Sequence, residues 1–353
     1  MPGGADIVVA GAGAIGSAVG FVLARAGHGV TVVDPAPPGA NASGVAAGML
    51  APGFETLFDA ASADHYALLA EARDLWPELA AEIGLPLARD GALAISARDE
   101  VRAWAERLRA LGAEARLITP DSEPALLPPG AWAVFAPGDW RLDPGAALAA
   151  LRRAAERFGA RVAAGRVLGF DGRDVAVEGA PPIAAERLVL ATGAARDLAG
   201  LAPALATLAP IKGHILRAAG AFAAAPVIRA NGIYLCRAAG EAVLGASMEP
   251  GRADTRVDPA VVRRLLDAAA PLLAQLGPLD WRAAAGVRAA TPDGRPLVGE
   301  AGAGGVVLAV GARRNGWLLA PLIARAVLDL VEGRPRRASD AAFDPARLAT
   351  APG

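Results

Sequence analysis

The sequence predicts an α/β protein in which a Rossmann-like nucleotide-binding domain carries an inserted antiparallel-sheet domain. Three observations lead there. An apolar run, a glycine-rich turn and a helical pattern occupy Asp6 to His28, and a second apolar run ends at Asp34. From Lys212 onward the pattern changes to short alternating segments around Gly and Asn turns. The strand, loop and helix pattern then returns in "GVVLAVGARRNGWLLAPLIARAVLDLVEG". The same pattern at both ends, with another between them, is what an insertion produces.

"DIVVAG" reads as a buried parallel strand because its apolar run is unbroken. "AIGSAVGFVLARAGH" reads as a helix ending near Gly27, and "GVTVVD" as the second strand of a βαβ unit. "DHYALLAEARDLWPELAAEIG" carries Leu, Trp and Ala at roughly helical spacing. "GALAISA" is a short strand, "RDEVRAWAERLRALGA" an amphipathic helix, and "DPGAALAALRRAAERFGARV" a helix with an Asp-Pro start. "RVLGFDGRDVAVEG" signals a hairpin and "ERLVLATGA" a buried strand. "GHILRA", "APVIRANGIYLCRA" and "EAVLGAS" read as antiparallel strands, followed by a helix, "DPAVVRRLLDAAAPLLAQL". The expected boundaries are 1–85, 142–211 and 287–345 for a discontinuous nucleotide domain. They are 86–141 and 212–286 for a substrate domain, and 346–353 for a loosely packed tail.

Composition narrows the function classes. A formal net charge of -1 with 20% charged residues gives no reason to expect a nucleic-acid or anionic-membrane partner. Lys212 is the only lysine among 35 basic side chains, so arginine is the default cation here and a lone arginine says little. The single cysteine, Cys236, excludes an internal disulfide, and His28, His65 and His214 lack metal-ligand spacing. No metal site is expected. The N-terminus lacks a basic segment before its apolar run, and Pro321, Arg325 and Asp329 interrupt the longest apolar stretch. A cytoplasmic protein without a membrane span is expected. Composition leaves self-association into a homo-oligomer open.

"GAGAIG" supplies Gly11, Ala12, Gly13, Ile15 and Gly16, where glycines permit a tight turn and close approach of a pyrophosphate. The following helix N-terminus favours phosphates, and Asp34 stands where a ribose-binding carboxylate is expected. This motif alone does not separate FAD from NAD. Just beyond it, "NASGVAAGML" has no charge and almost no large side chain.

That last run, with "RLVLATGA", "PIKGHIL", "AGVRAATPDGRPLVG" and "GARRNGWLLAPLIARAV", resembles the D-amino-acid oxidase-like family of flavoenzymes. The similarity covers nearly the whole chain and is greatest to the glycine-oxidase type of thiamine biosynthesis. It implies a D-amino-acid oxidase/glutathione reductase-like fold and non-covalent FAD. Ser43, Ala46, Ala47, Gly48 and Met49 would lie against the pyrophosphate and the flavin edge. Val162 and Gly193 would belong to the nucleotide site, and Arg314, Asn315, Gly316 and Trp317 would face the flavin pyrimidine. The resemblance implies that Arg288 binds the substrate carboxylate beside the flavin, with Tyr234 as a second donor. An arginine fork suits a carboxylate in an apolar cleft. Met49 and Met248 would line the substrate pocket.

The chain departs from the family pattern at Gly232, Ala289 and Ala312, where His, Pro and His are usual. The implied activity is oxidation of glycine, sarcosine or a short D-amino acid, with hydride transfer to flavin N5. Dioxygen would be the acceptor, hydrogen peroxide a product, and thiamine thiazole synthesis the destination. Two alternatives accompany it. One is an FAD-dependent D-amino-acid dehydrogenase passing electrons to a quinone. The other is a non-catalytic Rossmann nucleotide-binding protein.

Overall fold

The computed structural model describes residues 6–120, 130–220, 226–273, 279–301 and 304–349. The first domain is built on a six-stranded sheet. Its order is Leu297–Glu300, Val306–Val310, Arg187–Leu190, Asp6–Ala10, Gly29–Asp34 and Arg161–Ala164. Only Leu297–Glu300 runs antiparallel to its neighbour. The strand order reverses beside Asp6–Ala10, so the crevice beyond its carboxyl end is where such a sheet takes a ligand.

The helices Ala14–Arg25, Pro144–Arg157 and Gly316–Val331 cover one face. Phe21, Leu23, Leu151, Trp76 and Ile323 are buried in this layer. Asp143 accepts a 2.7 Å bond from the Ala146 amide and caps the second of these helices. Such a cap is worth about 1 kcal/mol. Ala14–Arg25 sits close to the sheet because Gly16 has no side chain. A Cβ there would lie 1.9 Å from the Gly11 carbonyl oxygen. A small sheet of Val167–Phe170, Asp174–Val177 and Ile183–Ala184 contributes Val175 and Val177 to the core of the other face.

The second domain is a nine-stranded sheet. Its long strand Ala209–Ala219 pairs along one side with Arg282–Ala290. Its other side meets Glu249–Pro250 and Glu241–Gly245. Ile233–Ala238, Val227–Ala230, Ala92–Ser96, Trp132–Ala136 and Arg116–Ile118 follow in order. The expected sheet is antiparallel, but Val227–Ala230 and Ala92–Ser96 pair in parallel. These strands come from the two separate segments of the domain, so no hairpin turn dictates their direction.

Two further details differ from the sequence reading. The helical region expected over 64–84 is two helices, Tyr66–Asp74 and Trp76–Ile83, with Pro77 in the first turn of the second. Proline lacks an amide donor and suits a helix start rather than a helix interior. The described part of the expected loose tail is also docked. It forms the helix Ala346–Ala349, where Arg347 pairs with Asp293 at 2.7 Å and Leu348 packs on the core. Residues 350–353 lie outside the described residues.

Candidate active site

Two cavities meet at a common wall formed by Ala42, Val45, Ala46, Gly286, Arg288, Arg314 and Trp317. The larger, about 740 Å³, is a groove beyond the Asp6–Ala10 strand. Gly11, Gly13, Ile15, Asp34, Ser43, Gly193 and Gly316 line it. Asp34 accepts the Ala12 amide at 2.6 Å and the Ala36 amide at 2.7 Å, which ties the glycine-rich turn to the second strand. Ser43 accepts the Ala14 amide at 2.9 Å. The loop after the second strand is pinned from the far end of the chain. The Trp317 indole donates to the Ser43 carbonyl, and the Trp76 indole to the Trp317 carbonyl, both at 3.0 Å.

Not every expected cofactor residue faces the groove. Val162 packs against the helical core from its edge strand, while Arg166 and Val167 line the groove there. Gly16 lies beneath the turn, and Ala12 contributes its amide to Asp34.

The second cavity, about 560 Å³, brings together Arg288, Tyr234, Met248, Met49, Ala47, Gly48, Arg314 and Asn315. Arg288 bonds the Ser247 carbonyl at 3.2 Å and the Met248 sulfur at 3.4 Å. No carboxylate of the described residues stands at ion-pair distance from it. Its guanidinium lies over Gly213, where a Cβ would come within 2.2 Å of Nη1. Burial lowers its pKa, yet arginine stays charged. The Tyr234 hydroxyl is nearby, over Gly245, at 2.5 Å from a Cβ built there. Burial pushes the Tyr234 pKa up, so the hydroxyl keeps its proton and can donate.

Sequence reasoning missed the centre of this cavity's charge. Glu55, buried on the helix Pro52–Phe58, pairs with Arg314 at 3.1 Å and with Arg229 at 3.2 Å. Burial alone would raise the Glu55 pKa, but the two guanidiniums outweigh it and hold the carboxylate below its usual range. Arg229 also bonds the Met49 sulfur at 3.3 Å. Arg314 contacts both carboxylate oxygens of Glu55, Nη2 with Oε1 at 3.2 Å and Nε with Oε2 at 3.1 Å. Asp139 steadies this helix by accepting the Gly53 and Phe54 amides at 2.8 and 2.9 Å. Burial raises its pKa to about 6 despite those bonds. Arg229 carried one faint signal, an arginine inside an apolar strand pattern, which the arginine-rich composition masks.

Residues 6–330 match the model of a family described as FAD dependent oxidoreductase. The chain belongs to this family. It is 32% identical to a glycine oxidase of Geobacillus kaustophilus, with 96% of this chain and 94% of that protein covered. The crystal structure of glycine oxidase from that organism superposes with a TM-score of 0.85 at 30% identity, covering 96% and 98% of the two chains. A bifunctional protein ThiO/ThiG of Trichormus variabilis is 30% identical over 92% of this chain, which spans 52% of that longer protein. The resemblance read from the sequence is borne out, and the cofactor is FAD.

The groove suits that cofactor. The Thr192 hydroxyl is buried there without a hydrogen-bond partner. The helix Gly316–Val331 starts at the common wall, and Asn315 gives it no side-chain cap, so its first amides are open to an acceptor. Gly11, Gly13, Asp34, Ser43 and Thr192 would hold the nucleotide part, and Ala46, Ala47, Gly48 and the Asn315–Trp317 turn the flavin part. Among the described residues no helix is long and apolar enough to cross a membrane.

Proposed function

We propose that the chain oxidises a small amino acid, namely glycine, sarcosine or a short D-amino acid, to the imine, which water hydrolyses to the 2-oxo acid with release of the amine. Non-covalently bound FAD would supply the two-electron acceptor chemistry, with dioxygen as the final acceptor and hydrogen peroxide as its product. Arg288 seats the substrate carboxylate and Tyr234 donates a second bond to it. Arg314, held by the Glu55 carboxylate that it shares with Arg229, frames the seat. Met49 and Met248 supply apolar side chains beside that seat. The protein's part is therefore orientation rather than proton transfer by a dedicated base. Cys236 lines neither cavity, in keeping with a non-covalent flavin. Similarity to the glycine-oxidase type supports thiamine thiazole synthesis as the destination of the imine.

One observation carries this reading. Arg288 presents a guanidinium to the cavity with no carboxylate of its own, beside a protonated tyrosine hydroxyl. The test is peroxide formation from glycine, sarcosine, D-alanine, D-proline and bulky D-amino acids, with L-isomers as controls. Turnover of the small substrates with peroxide is expected. A marked preference for bulky D-amino acids would overturn the small-substrate assignment. Dye reduction without peroxide would turn the reading to a quinone-linked dehydrogenase.

A further inference from the structure

The segment 251–258 crosses between two proline-bounded elements, Glu249–Pro250 and the helix Pro259–Leu273, without regular structure of its own. Its side chains alternate. Ala253, Thr255 and Val257 are exposed and line the cofactor groove. Asp254 turns the other way, to the substrate sheet. There Lys212, fully buried, donates to Asp254 Oδ1 at 2.7 Å. Two residues along the same strand face, buried His214 accepts the Asp258 amide on Nε2 at 2.9 Å. That contact requires an unprotonated Nε2, so the ring proton is on Nδ1 and is donated to Glu249 at 2.8 Å. Ser247 donates to the same carboxylate at 2.6 Å and accepts the His214 amide at 2.9 Å. The Gly251 amide bonds the Pro210 carbonyl at 2.9 Å.

This is a costly way to fix a surface segment. A buried ammonium and a buried imidazole of set tautomer are desolvated to hold it. In a chain that uses arginine almost everywhere, the lone lysine is one of these anchors. The outward residues also leave an apolar side chain, Val257, 43% exposed at the groove.

We propose that residues 251–258 form the outer wall of the FAD site, and that Lys212 and His214 are positioning residues that hold this strap against the bound dinucleotide. The substrate domain thereby takes part in binding the cofactor of the other domain. The inference rests on FAD and not on the identity of the amino acid.

The measurement is the FAD dissociation constant of the deflavinated protein, by quenching of flavin fluorescence at low ionic strength, with the melting temperature of the apoprotein as a folding control. Val257→Asp sets an anion beside an anionic ligand and should weaken binding about fivefold to tenfold, an effect that fades with salt. Val257→Arg reverses the charge at the same exposed position and should bind at least as tightly as the unaltered chain. Lys212→Met should weaken FAD binding by a similar factor and broaden the bound flavin's visible absorbance. Arg256→Ala is the control. That side chain is 88% exposed and pairs only loosely, at 3.7 Å, with Asp254, so no change is expected. Equal affinities for the two Val257 variants would overturn the wall. A Lys212→Met protein that folds and binds FAD like the unaltered chain would overturn the anchoring role. Should Lys212→Met fail to fold, the Val257 pair decides.

Discussion

The two cavities share a wall and are made of different materials. The nucleotide groove is lined chiefly by backbone and small residues, with order supplied by short contacts such as Ala12 to Asp34 and Ala14 to Ser43. The substrate cavity is governed by long charged side chains from four distant segments, Glu55, Arg229, Arg288 and Arg314. The first kind of site tolerates few changes of backbone but little depends on any one charge. The second is a balance of charges, and removing one member leaves the others buried without compensation.

The contrast breaks most sharply at Arg288. Arg288→Ala should lower kcat/KM by about 2–5 kcal/mol, the usual cost of one partner of a desolvated charged pair. The visible flavin spectrum should persist. Arg288→Lys should rescue poorly because an ammonium lacks the planar fork. Steady-state kinetics check both, and near-unaltered kcat/KM in the alanine variant would remove Arg288 from the carboxylate seat.

Glu55→Gln tests the balance itself. It leaves Arg229 and Arg314 facing each other across a neutral amide, and should cost about 3 kcal/mol of stability. The loss is read from a denaturant midpoint. It should come with a raised KM, because Arg314 is released toward the substrate. A stable variant with unchanged KM would show that the pairing is incidental.

Asp139 gives a smaller effect with a defined sign. Its folded pKa is raised from 3.8 to about 6, so the native state holds the proton more tightly than the unfolded chain. Its contribution is fully present below about pH 4 and is lost as pH rises through about 6. The loss is on the order of 3 kcal/mol. Arg229 and Glu55 are the charged groups that face it, and they act in opposite senses. Asp139→Asn lacks this loss. Its melting temperature relative to the unaltered chain should therefore improve between pH 4.5 and pH 7.5. The opposite trend would mean that the ionised form is the favoured partner of the Gly53 and Phe54 amides.

The same contrast explains what the sequence made legible. The βαβ unit, its glycines and Asp34 are local, and a period and a turn suffice to read them. The run Ser43–Leu50 has no periodicity and became meaningful only through resemblance to a family. Arg288, Tyr234, Met49 and Met248 came the same way, and the fold brings them to one cavity. Glu55 was not readable at all. Its partners lie 174 and 259 residues away along the chain, and nothing in "PGFETLF" announces a buried carboxylate. Val162 marks the opposite limit. An alternating strand side chain cannot be assigned to the core or to a groove until its neighbours are known.

One strand joins the two sites in a way that bears on how this chain can change. Along Ala209–Ala219, Gly213 seats the Arg288 guanidinium on one face, while Lys212 and His214 grip the segment 251–258 from the other. Successive side chains point to opposite sides, so inserting or deleting a single residue ahead of Lys212 would invert all three. The guanidinium would then meet a long side chain where it needs a bare backbone, and both anchors would point into the substrate cavity. Length changes in this strand are therefore barred twice over. A one-residue deletion between Ala209 and Lys212 should abolish both flavin retention and amino-acid turnover, whereas the exposed turn at Ala239 and Gly240 can lengthen with little effect.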